Sequence, residues 1–544
     1  MKEVLIIGSG ISGMACAVRC AAGGIHVTLV SPLPSERSQS VMAAGGINAV
    51  MNSCEEGDSV ACHTEDTLKG GGYLAGQAAV SGLCEHAEGI VGYLESIGTV
   101  FSLDEQGRPA RRDFGGQTHK RTCYCGASTG KQIVSALVME VRRFEAAGMI
   151  RRRLRCCFHS ALIRDGVCHG ALLFDEITGA LEPVFSDAVV MATGGQNALF
   201  GKTTGSTQCD GYGAGRLFLQ GVTLKNLEFI QFHPTTLETP QKRMLISEAA
   251  RGEGGRLFYE EQGKRVYFLE EKYGPRGNLM TRDVISREID AVKRPVYLDV
   301  SFLDRRIIDE RLSEVRDLCA RYRGIDIHTT PIPVEPSVHF FMGGIAVHLN
   351  HETNVRDLFA VGECASMYHG ANRLGGNSLL AAVYSGNVAA DAIAGRDEGK
   401  DHPDFGGDIE KARSELNARR DTAGQLSAMH IRDRLADTMR KRLGIVREEA
   451  NLAEGLREVD GLLCDAKSVR HDDGVPSYYA YSLTGILTLA RATLACALAR
   501  QESRGAHWRR DYPDSDDGCR YATLIAYDGG KYRVCLDKER AYEN

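Results

Sequence analysis

Tryptophan is nearly absent from this 544-residue chain, which has one, and aromatic residues make up only 7% of it. An excess of one charge is also lacking, because 65 lysines and arginines face 71 acidic residues, giving a formal charge of −6. The balance therefore gives no reason to expect a nucleic acid or an anionic membrane as partner. With 43% hydrophobic residues and 61 glycines, the composition excludes disordered and collagen-like chains and suits a globular protein of about three domains.

The 17 cysteines lack the spacing of a metal or iron–sulfur site, because no C-x-x-C ladder occurs. Cys123 and Cys125 form a C-x-C pair to which we assign no function, and Cys156 and Cys157 are adjacent. We expect buried, reduced thiols and no bound metal.

Long apolar runs are missing as well. No stretch approaches the roughly 20 apolar residues of a transmembrane helix, and glycines interrupt the apolar N-terminal segment, which argues against a signal peptide. The sequence therefore predicts a cytoplasmic protein without a membrane span of its own.

The N-terminal 31 residues contain the clearest motif. A strand, a glycine turn with Gly8, Gly10 and Gly13, a helix and a second strand form one βαβ unit. Such glycines let the backbone approach a pyrophosphate, which then lies on the helix N-terminus. Ser31 stands where nicotinamide-binding chains carry an acid, so a purely structural glycine turn stays open at this point.

Further glycine-rich segments favour FAD over a nicotinamide cofactor. A second strand signal runs into Thr193 and Gly194, and a polar segment with Asp210 follows. Gly45 and Gly46 lie in a loop of small residues, which suits close backbone contact with a flat ring.

Long motifs in one order cover nearly the whole chain. They are Gly8-x-Gly10-x-x-Gly13, Arg37-Ser38 with Gly45-Gly46, Phe232–Thr235, Ser247–Gly255, Arg282-Asp283, His339 with Met342–Ile345, His369–Leu380 and Glu502–His507. In these motifs the chain resembles the flavoprotein subunits of fumarate reductases and succinate dehydrogenases, with L-aspartate oxidase as the nearest relative.

The resemblance implies an α/β fold in which an α+β capping domain interrupts a Rossmann-like FAD-binding domain, followed by a helical domain and a small C-terminal domain. Changes in residue composition along the chain agree with this order. They place the FAD-binding domain at 1–225 and 345–405, the cap at 226–344, the helical domain at 406–500 and the tail domain at 501–544.

The chemistry that the resemblance implies is hydride transfer between flavin N5 and a four-carbon dicarboxylate. Arg282 would be the proton donor, with Arg251 and Glu248 as its relay. Without the resemblance, Glu248 and Arg251 would read as an ordinary i,i+3 surface pair. The implied substrate-binding residues are His233, Thr235, His339 and Arg373.

For the cofactor, the resemblance assigns the pyrophosphate to the three turn glycines, the adenosine ribose to Ser31 and the adenine half to Thr193 and Gly194. The residues implied to contact the flavin side are Asp210, Glu363, Ser378 and Leu379. Gln39 stands where many family members carry the histidine that joins FAD covalently. An amide cannot form that bond, so we expect non-covalent FAD, a lowered reduction potential and a preference for fumarate reduction.

A second departure is Phe340-Phe341 after His339, where the family usually has polar residues. We expect one substrate hydrogen bond to be missing there. This leaves open a flavin reductase of another unsaturated acid, beside L-aspartate oxidase and a non-catalytic FAD-binding subunit. The set of charged residues argues against the last of these.

Since the chain carries neither haem motif nor cluster ligands, the resemblance implies that its electron partner is an iron–sulfur subunit, together with a quinone-reactive membrane anchor. Those partners would hold the chain peripherally on the cytoplasmic face of the inner membrane. The substrate partner is a small dicarboxylate, and we expect no nucleic acid.

Overall fold

A parallel five-stranded sheet forms the centre of the computed structural model, which describes residues 2–51, 57–126, 128–396, 399–420, 426–470 and 478–537. In spatial order its strands are Leu358–Ala360, Ala188–Met191, Glu3–Ile7, His26–Ser31 and Ile150–Leu154. The inner strands read as continuous buried runs such as Val4–Ile7, as expected of a parallel sheet covered on both faces. The strand Leu358–Ala360 therefore returns to a sheet that the chain left more than 150 residues earlier.

Helices Ile11–Ala22 and Asn377–Ala394 pack against each other beside this sheet. Gly386 allows the contact, because a Cβ there would lie 2.6 Å from the Ser12 carbonyl oxygen. The other helices of this region are Val60–Gly70, Gln77–Glu85, Ala87–Ser96, Thr129–Ala146 and Tyr212–Leu219. Its antiparallel strands are Cys156–Arg164, Val167–Asp175 and Leu181–Phe185, and Ile47–Asn48, Arg111–Arg112 and Thr122–Cys123.

Between the two parts of the parallel sheet, the chain builds a separate unit with its own apolar core. Its six-stranded antiparallel sheet has the order Arg243–Leu245, Ile230–Glu238, Ile332–Phe341, Val296–Asp299, Arg256–Glu261 and Lys264–Val266. Its helices are Ala249–Gly252, Phe268–Tyr273, Arg282–Val292, Ile307–Arg311 and Ser313–Arg323. The expected α/β fold with an inserted α+β cap is confirmed, while its boundaries stay predictions.

A helical region follows, as expected. Its helices are Gly406–Arg420, Ala428–Arg442, Glu449–Asp465, Tyr478–Tyr481 and Leu483–Ala499, and its short paired strands are Leu426–Ser427 with Val469–Arg470 and Val446–Arg447 with Trp508–Arg509. The expectation that no apolar stretch approaches membrane length is wrong for Tyr478–Ala499, which is long and apolar enough. Most of that segment is buried inside the protein, so it is a core helix of this fold.

The chain's last described hairpin, Ala522–Asp528 with Lys531–Asp537, extends a sheet with Leu224–Lys225, Gly344–Ala346 and Ala365–Ser366. The tail domain thus pairs directly with the strand that enters the cap. Residues 538–544 of the expected tail domain lie outside the described residues.

A buried ionic network anchors the tail region beneath the cap entrance. Arg500 donates to Glu228 at 2.6 Å and to Glu502 at 2.8 Å, and all three side chains are at most 1% exposed. The remaining guanidinium hydrogens reach Tyr521 and Thr523 of the tail. Such a network holds only while every member is paired.

Replacing Arg500 with methionine should therefore destabilise the protein by about 3–5 kcal/mol, because Glu228 would stay buried without its cation, whereas Glu502 would keep its pair with Arg504 at 2.9 Å. Urea unfolding followed by circular dichroism measures this. Arg457→Met, which breaks the exposed pair with Glu454, is the control and should change the free energy of unfolding by less than about 1 kcal/mol. Equal effects of the two variants would contradict the role of the network.

Candidate functional site

The glycine turn after strand Glu3–Ile7 is too tight for side chains. A Cβ on Gly13 would lie 1.9 Å from the Gly8 carbonyl oxygen, and one on Gly8 would lie 2.2 Å from that of Ala192. Gly10, the residue before the following helix, has no side chain, and the Ile11 N–H donates to Ser40 Oγ at 3.2 Å. Gly8, Gly10, Ser12 and Ser40 line the cavity at this helix N-terminus. This cradle fits the pyrophosphate of a dinucleotide.

One continuous cavity runs from this turn into the cap. The sequence-predicted residues that line it are Gly8, Gly10, Ser31, Gly45, Gly46, Thr193, Gly194, Asp210, His233, Glu248, Arg282, His339, Glu363, Arg373, Ser378 and Leu379. Gly13, Thr235 and Arg251 lie behind the wall. The fold thus collects residues of three distant segments at the carboxyl ends of parallel strands, where α/β sheets bind ligands.

Glu248 and Arg282 form a buried ion pair at the cap end of the cavity. Arg282 Nη2 lies 2.7 Å and Nε 2.9 Å from Glu248 Oε2, while the Gly115 N–H donates to Oε1 at 3.0 Å. Burial disfavours the Glu248 carboxylate, but Arg282 and Arg251 outweigh it and lower the pKa of that carboxyl. Glu248 is therefore held ionised next to the predicted proton donor.

Arg251 extends this series of charged side chains away from the cavity. Its Nη2 lies 3.5 Å from Glu248 Oε1, and its Nη1 donates to the Asn278 carbonyl oxygen at 2.7 Å. The side chain is fully buried, and burial lowers the pKa of its guanidinium. The pair is thus not the surface pair that spacing alone suggests, and it lies in series with Arg282.

Gln231 joins the two arginines that face the cavity. Its Oε1 accepts from Arg282 Nη1 at 3.0 Å and from Arg373 Nη2 at 3.1 Å. Its Nε2 donates to Asn372 and to the Arg373 carbonyl oxygen, both at 2.7 Å. Sequence reasoning missed Gln231, although it lies two residues before His233 and alternation along a strand places both on one face.

Arg373 is a buried cation that is only partly paired. Its Nε has no partner within the described chain, and its guanidinium carbon lies 4.4 Å above the Phe340 ring. Burial, and next the charge of Arg282, lower the pKa of this guanidinium well below its usual range. Both effects would be relieved by an anionic ligand, since a buried charge is stable only when it is paired.

Two neutral imidazoles stand beside the arginines. The rings of His233 and His339 lie 5.2 Å apart, and His339 Nδ1 is 2.8 Å from Thr204 Oγ1. Burial lowers the pKa of both rings well below the usual value, and Arg282 adds to the effect. They therefore act as uncharged hydrogen-bonding groups near neutral pH.

Thr235 lies behind the residues that line the cavity, and its expected contact with the substrate stays a prediction. Its hydroxyl donates to the Ile246 carbonyl oxygen at 3.1 Å, and its N–H donates to His233 Nδ1 at 3.3 Å. The side chain faces the cap interior because it belongs to the buried strand Ile230–Glu238. Thr235 thus orients His233 and leaves Nε2 of that ring as the nitrogen available to a ligand.

The two phenylalanines after His339 point to different surroundings. Phe340 lies under Arg373 and packs edge-on against His369, with ring centroids 5.2 Å apart. Phe341 packs on Phe200 in the core of the FAD-binding domain. Only Phe340 therefore shapes the cavity, and it offers an apolar platform without a hydroxyl group.

Glu363 lines the cavity where the chain returns to the parallel sheet. Its Oε1 accepts from the Phe341 N–H at 3.1 Å, and a Cβ on Gly195 would lie 2.6 Å from the same oxygen. Burial raises the pKa of the Glu363 carboxyl to about 7. Glu363 is half-buried and lies beside the space that the predicted flavin half would fill.

Asp210 lies at the opposite end of the cavity from the arginines. Its carboxylate accepts from the Tyr478 hydroxyl at 3.0 and 3.1 Å and from the Tyr212 N–H at 3.0 Å. The backbone at the N-terminus of the following helix, Tyr212–Leu219, thus holds the carboxylate. The expected contact of Asp210 with the flavin side stays a prediction.

Polar atoms in the loop of small residues also lack partners. Gln39 Oε1 and Ser38 Oγ are buried and make no hydrogen bond within the described chain, and both residues line the cavity. Unpaired buried polar atoms are costly, so they mark positions where a polar ligand belongs. Together with the glycine cradle, they fit FAD, and the role expected of Gln39 at the linkage position stays a prediction.

Cys156, Cys157 and Cys209 line the cavity, and burial raises the pKa of their thiols, which makes them poor nucleophiles. Cys123 and Cys125 are buried, and burial raises the pKa of both thiols to about 12. One trio in the described chain, Asp58, Cys62 and His119, lies close enough to hold a metal ion. However, Arg121 already occupies both oxygens of Asp58, at 2.8 and 3.0 Å.

Sequence reasoning missed two further parts of the cavity wall. Lys242 of the cap lines it, and burial lowers the pKa of that ammonium, which makes no ion pair within the described chain. Tyr478 and Tyr479 of the helical region line the opposite end. A run of three tyrosines within four positions, in a chain so poor in aromatic residues, was the available signal.

Comparisons with known proteins agree with this geometry. Residues 3–379 match the model of an FAD binding domain, and residues 432–541 match that of the fumarate reductase flavoprotein C-terminal region. The succinate dehydrogenase flavoprotein subunit of Bacillus subtilis is 36% identical over 539 residues, which cover 95% of this chain and 92% of that protein. One subunit of the fumarate reductase (CoM/CoB) of Methanothermobacter marburgensis is 34% identical over 529 residues, which cover 94% of this chain and 95% of that one.

Among solved structures, the FrdA subunit of E. coli quinol fumarate reductase superposes with a TM-score of 0.89. Its sequence is 29% identical, and the superposition covers 98% of this chain and 97% of that one. The resemblance found in the motifs thus extends to the whole fold.

Replacing Gly13 with alanine should abolish tight FAD binding, because the new Cβ would collide with the Gly8 carbonyl oxygen and deform the cradle. Flavin absorbance per protein after gel filtration measures retention. Gly89→Ala is the matched control, since a Cβ there meets nothing within 4 Å. Full flavin content in the Gly13 variant would contradict the cradle.

Proposed function

We propose, since the chain belongs to the succinate dehydrogenase and fumarate reductase flavoprotein family, that it interconverts fumarate and succinate. The observation that carries this proposal is the pair Arg282 and Arg373, held on one oxygen of Gln231 beside two neutral histidines. Two guanidiniums so close together suit a dianion, because buried positive charge is stable only when it is paired.

FAD, whose binding domain the chain contains, would supply the hydride donor or acceptor when bound. The chain's own residues fix the substrate. Arg373 and His339 bind one carboxylate, and His233, oriented by Thr235, donates to the other. Arg373 also stabilises negative charge that develops on the substrate as hydride arrives, because its charge is preorganised in a buried site.

Proton transfer is the task of Arg282 in this proposal. A proton leaves an Arg282 guanidinium nitrogen for the alkene carbon that bears negative charge, and the neutral guanidine then regains a proton through Glu248 and Arg251. The 2.7 Å and 3.5 Å contacts of Glu248 with these arginines form that path. In succinate oxidation the same proton moves in reverse.

We assign fumarate reduction as the favoured direction. Gln39 cannot form the covalent link to FAD, and its side chain lies in the cavity wall with Oε1 unpaired. A non-covalent flavin lacks the electron-withdrawing histidyl substituent and is therefore a stronger reductant. This favours hydride delivery to fumarate over removal from succinate.

The partner in this proposal is an iron–sulfur subunit with a quinone-reactive membrane anchor. A similar chain is named as part of a quinol fumarate reductase, and others as flavoprotein subunits. The protein would then lie peripherally on the cytoplasmic face of the inner membrane. Copurification of a cysteine-rich subunit from membranes tests this assembly.

The function itself is tested anaerobically with purified protein. Fumarate reduction by a reduced viologen dye should exceed succinate oxidation with an artificial acceptor. Release of iminoaspartate and peroxide from L-aspartate under air would instead identify an L-aspartate oxidase. Reduction of a substituted enoate without activity on fumarate would place the substrate specificity at Phe340.

Replacing Arg282 with glutamine should lower kcat for fumarate reduction about 10³-fold, the usual contribution of a positioned acid. Bound FAD should be retained, because Arg282 lies on the cap. Stopped-flow assays with reduced dye measure the change. Arg294→Gln, which removes an exposed cap arginine, is the control. Undiminished turnover in the Arg282 variant would overturn the mechanism.

Acid denaturation should release all FAD into solution, since Gln39 offers no nucleophilic ring nitrogen for a covalent bond. Trichloroacetic acid precipitation, followed by absorbance of the supernatant near the flavin band, measures the released fraction. A yellow pellet would contradict non-covalent attachment. Gln39→His provides the comparison, because it restores the residue that the linkage requires.

A further inference from the structure

We infer that Tyr478 and Tyr479, which belong to the helical region, form an aromatic wall of the subsite for the adenosine half of FAD. This assigns a part of the cofactor site to a segment far from the βαβ unit in sequence. The inference does not depend on the fumarate chemistry, because it concerns only how the dinucleotide is held.

The end of the second strand, at Ser31, locates the adenosine end of the cavity. In a βαβ dinucleotide fold the ribose of the adenosine half lies beyond the end of the second strand, which here ends at Ser31. Ser31 pairs with Leu154 on the neighbouring strand, and the next strand begins two residues later at Cys156. Cys156 and Cys157 therefore border the adenosine end, and both line the cavity.

Asp210 connects the tyrosines to that end of the cavity. Cys157 Sγ lies 3.5 Å from Glu176 Oε1. The negative charge of Asp210 adds to the effect of burial in raising the pKa of the Cys157 thiol. Asp210 in turn accepts the Tyr478 hydroxyl with both oxygens. Cys157, Glu176, Asp210, Tyr478 and Tyr479 all line the cavity, so they enclose one end of it.

Several hydrogen bonds hold Asp210, and through it the aromatic wall, in place. Besides Tyr478, Asp210 accepts from the Tyr212 N–H and from Arg432, whose Nη2 also donates to Ser482 at 2.7 Å. Three donors therefore hold the carboxylate, which makes Asp210 an anchor for the wall. Arg432 also lies 4.6 Å from the Tyr479 ring centroid and fixes the position of that ring.

The chemistry of this end suits an adenine ring. Tyr478 and Tyr479 stand almost perpendicular, at 82°, so they offer a face and an edge to a planar ligand. Stacking of a base on an aromatic side chain is sequence-tolerant and strong, and it needs no charge on the ligand. A cofactor without a covalent tether depends on such contacts for its affinity.

The test compares FAD with FMN, which carries the same flavin but no adenosine. Tyr479→Leu keeps apolar volume and removes the ring, so its FAD dissociation constant should rise about tenfold. Its FMN dissociation constant should stay within about twofold of wild type, because that ligand does not reach the wall. Tyr479→Phe should restore FAD binding. Quenching of flavin fluorescence on titration of apo-protein measures each of these dissociation constants.

Tyr478→Phe tests the positioning role of the hydroxyl, and it should weaken FAD but not FMN. Tyr93→Leu is the matched control, because Tyr93 is half-buried on the helix Ala87–Ser96 outside the cavity. Unchanged FAD binding in Tyr479→Leu would overturn the inference. Equal weakening of FAD and FMN would also overturn it, since it would reveal a general structural effect.

Discussion

The contact on which the site depends is the shared oxygen of Gln231, which accepts from both Arg282 and Arg373. It fixes two buried cations close to each other despite their repulsion. With Arg251 they make three guanidiniums against one ionised carboxylate, Glu248. A dianionic ligand would restore the balance of charge. This charge balance supports the proposal that the substrate carries two carboxylates.

The same contact requires the cap to lie against the FAD-binding domain. Arg282 begins a helix of the cap, whereas Arg373 belongs to the segment that has returned to the parallel sheet. Gln231 lies on the cap strand Ile230–Glu238. The three meet only if the cap folds back over the FAD-binding domain. Close approach of the cap therefore creates the binding site and removes it from water, which strengthens every charged interaction within it.

Motif residues were predictable because each has a local reason that the sequence displays. Gly8 and Gly13 lie where a Cβ cannot fit, and the inserted cap differs from its flanking segments in residue composition. Orientation was not predictable in this way. Phe340 and Phe341 are adjacent, yet alternation along the strand sends one into the cavity and the other into the core. Likewise, only the fold shows that the Thr235 hydroxyl is used by Ile246.

The proposed non-covalent attachment of FAD has a structural counterpart at the far end of the cavity. A histidyl bond would hold the flavin ring itself, so binding of the rest of the dinucleotide would matter less. Without that bond, affinity would come from many weaker contacts spread along the molecule. The glycine cradle is the proposed site for the middle of the dinucleotide, and the arginine end is the proposed substrate site. An aromatic wall around the remaining end, built by the helical region, is where such affinity can be added without altering the chemistry at the flavin.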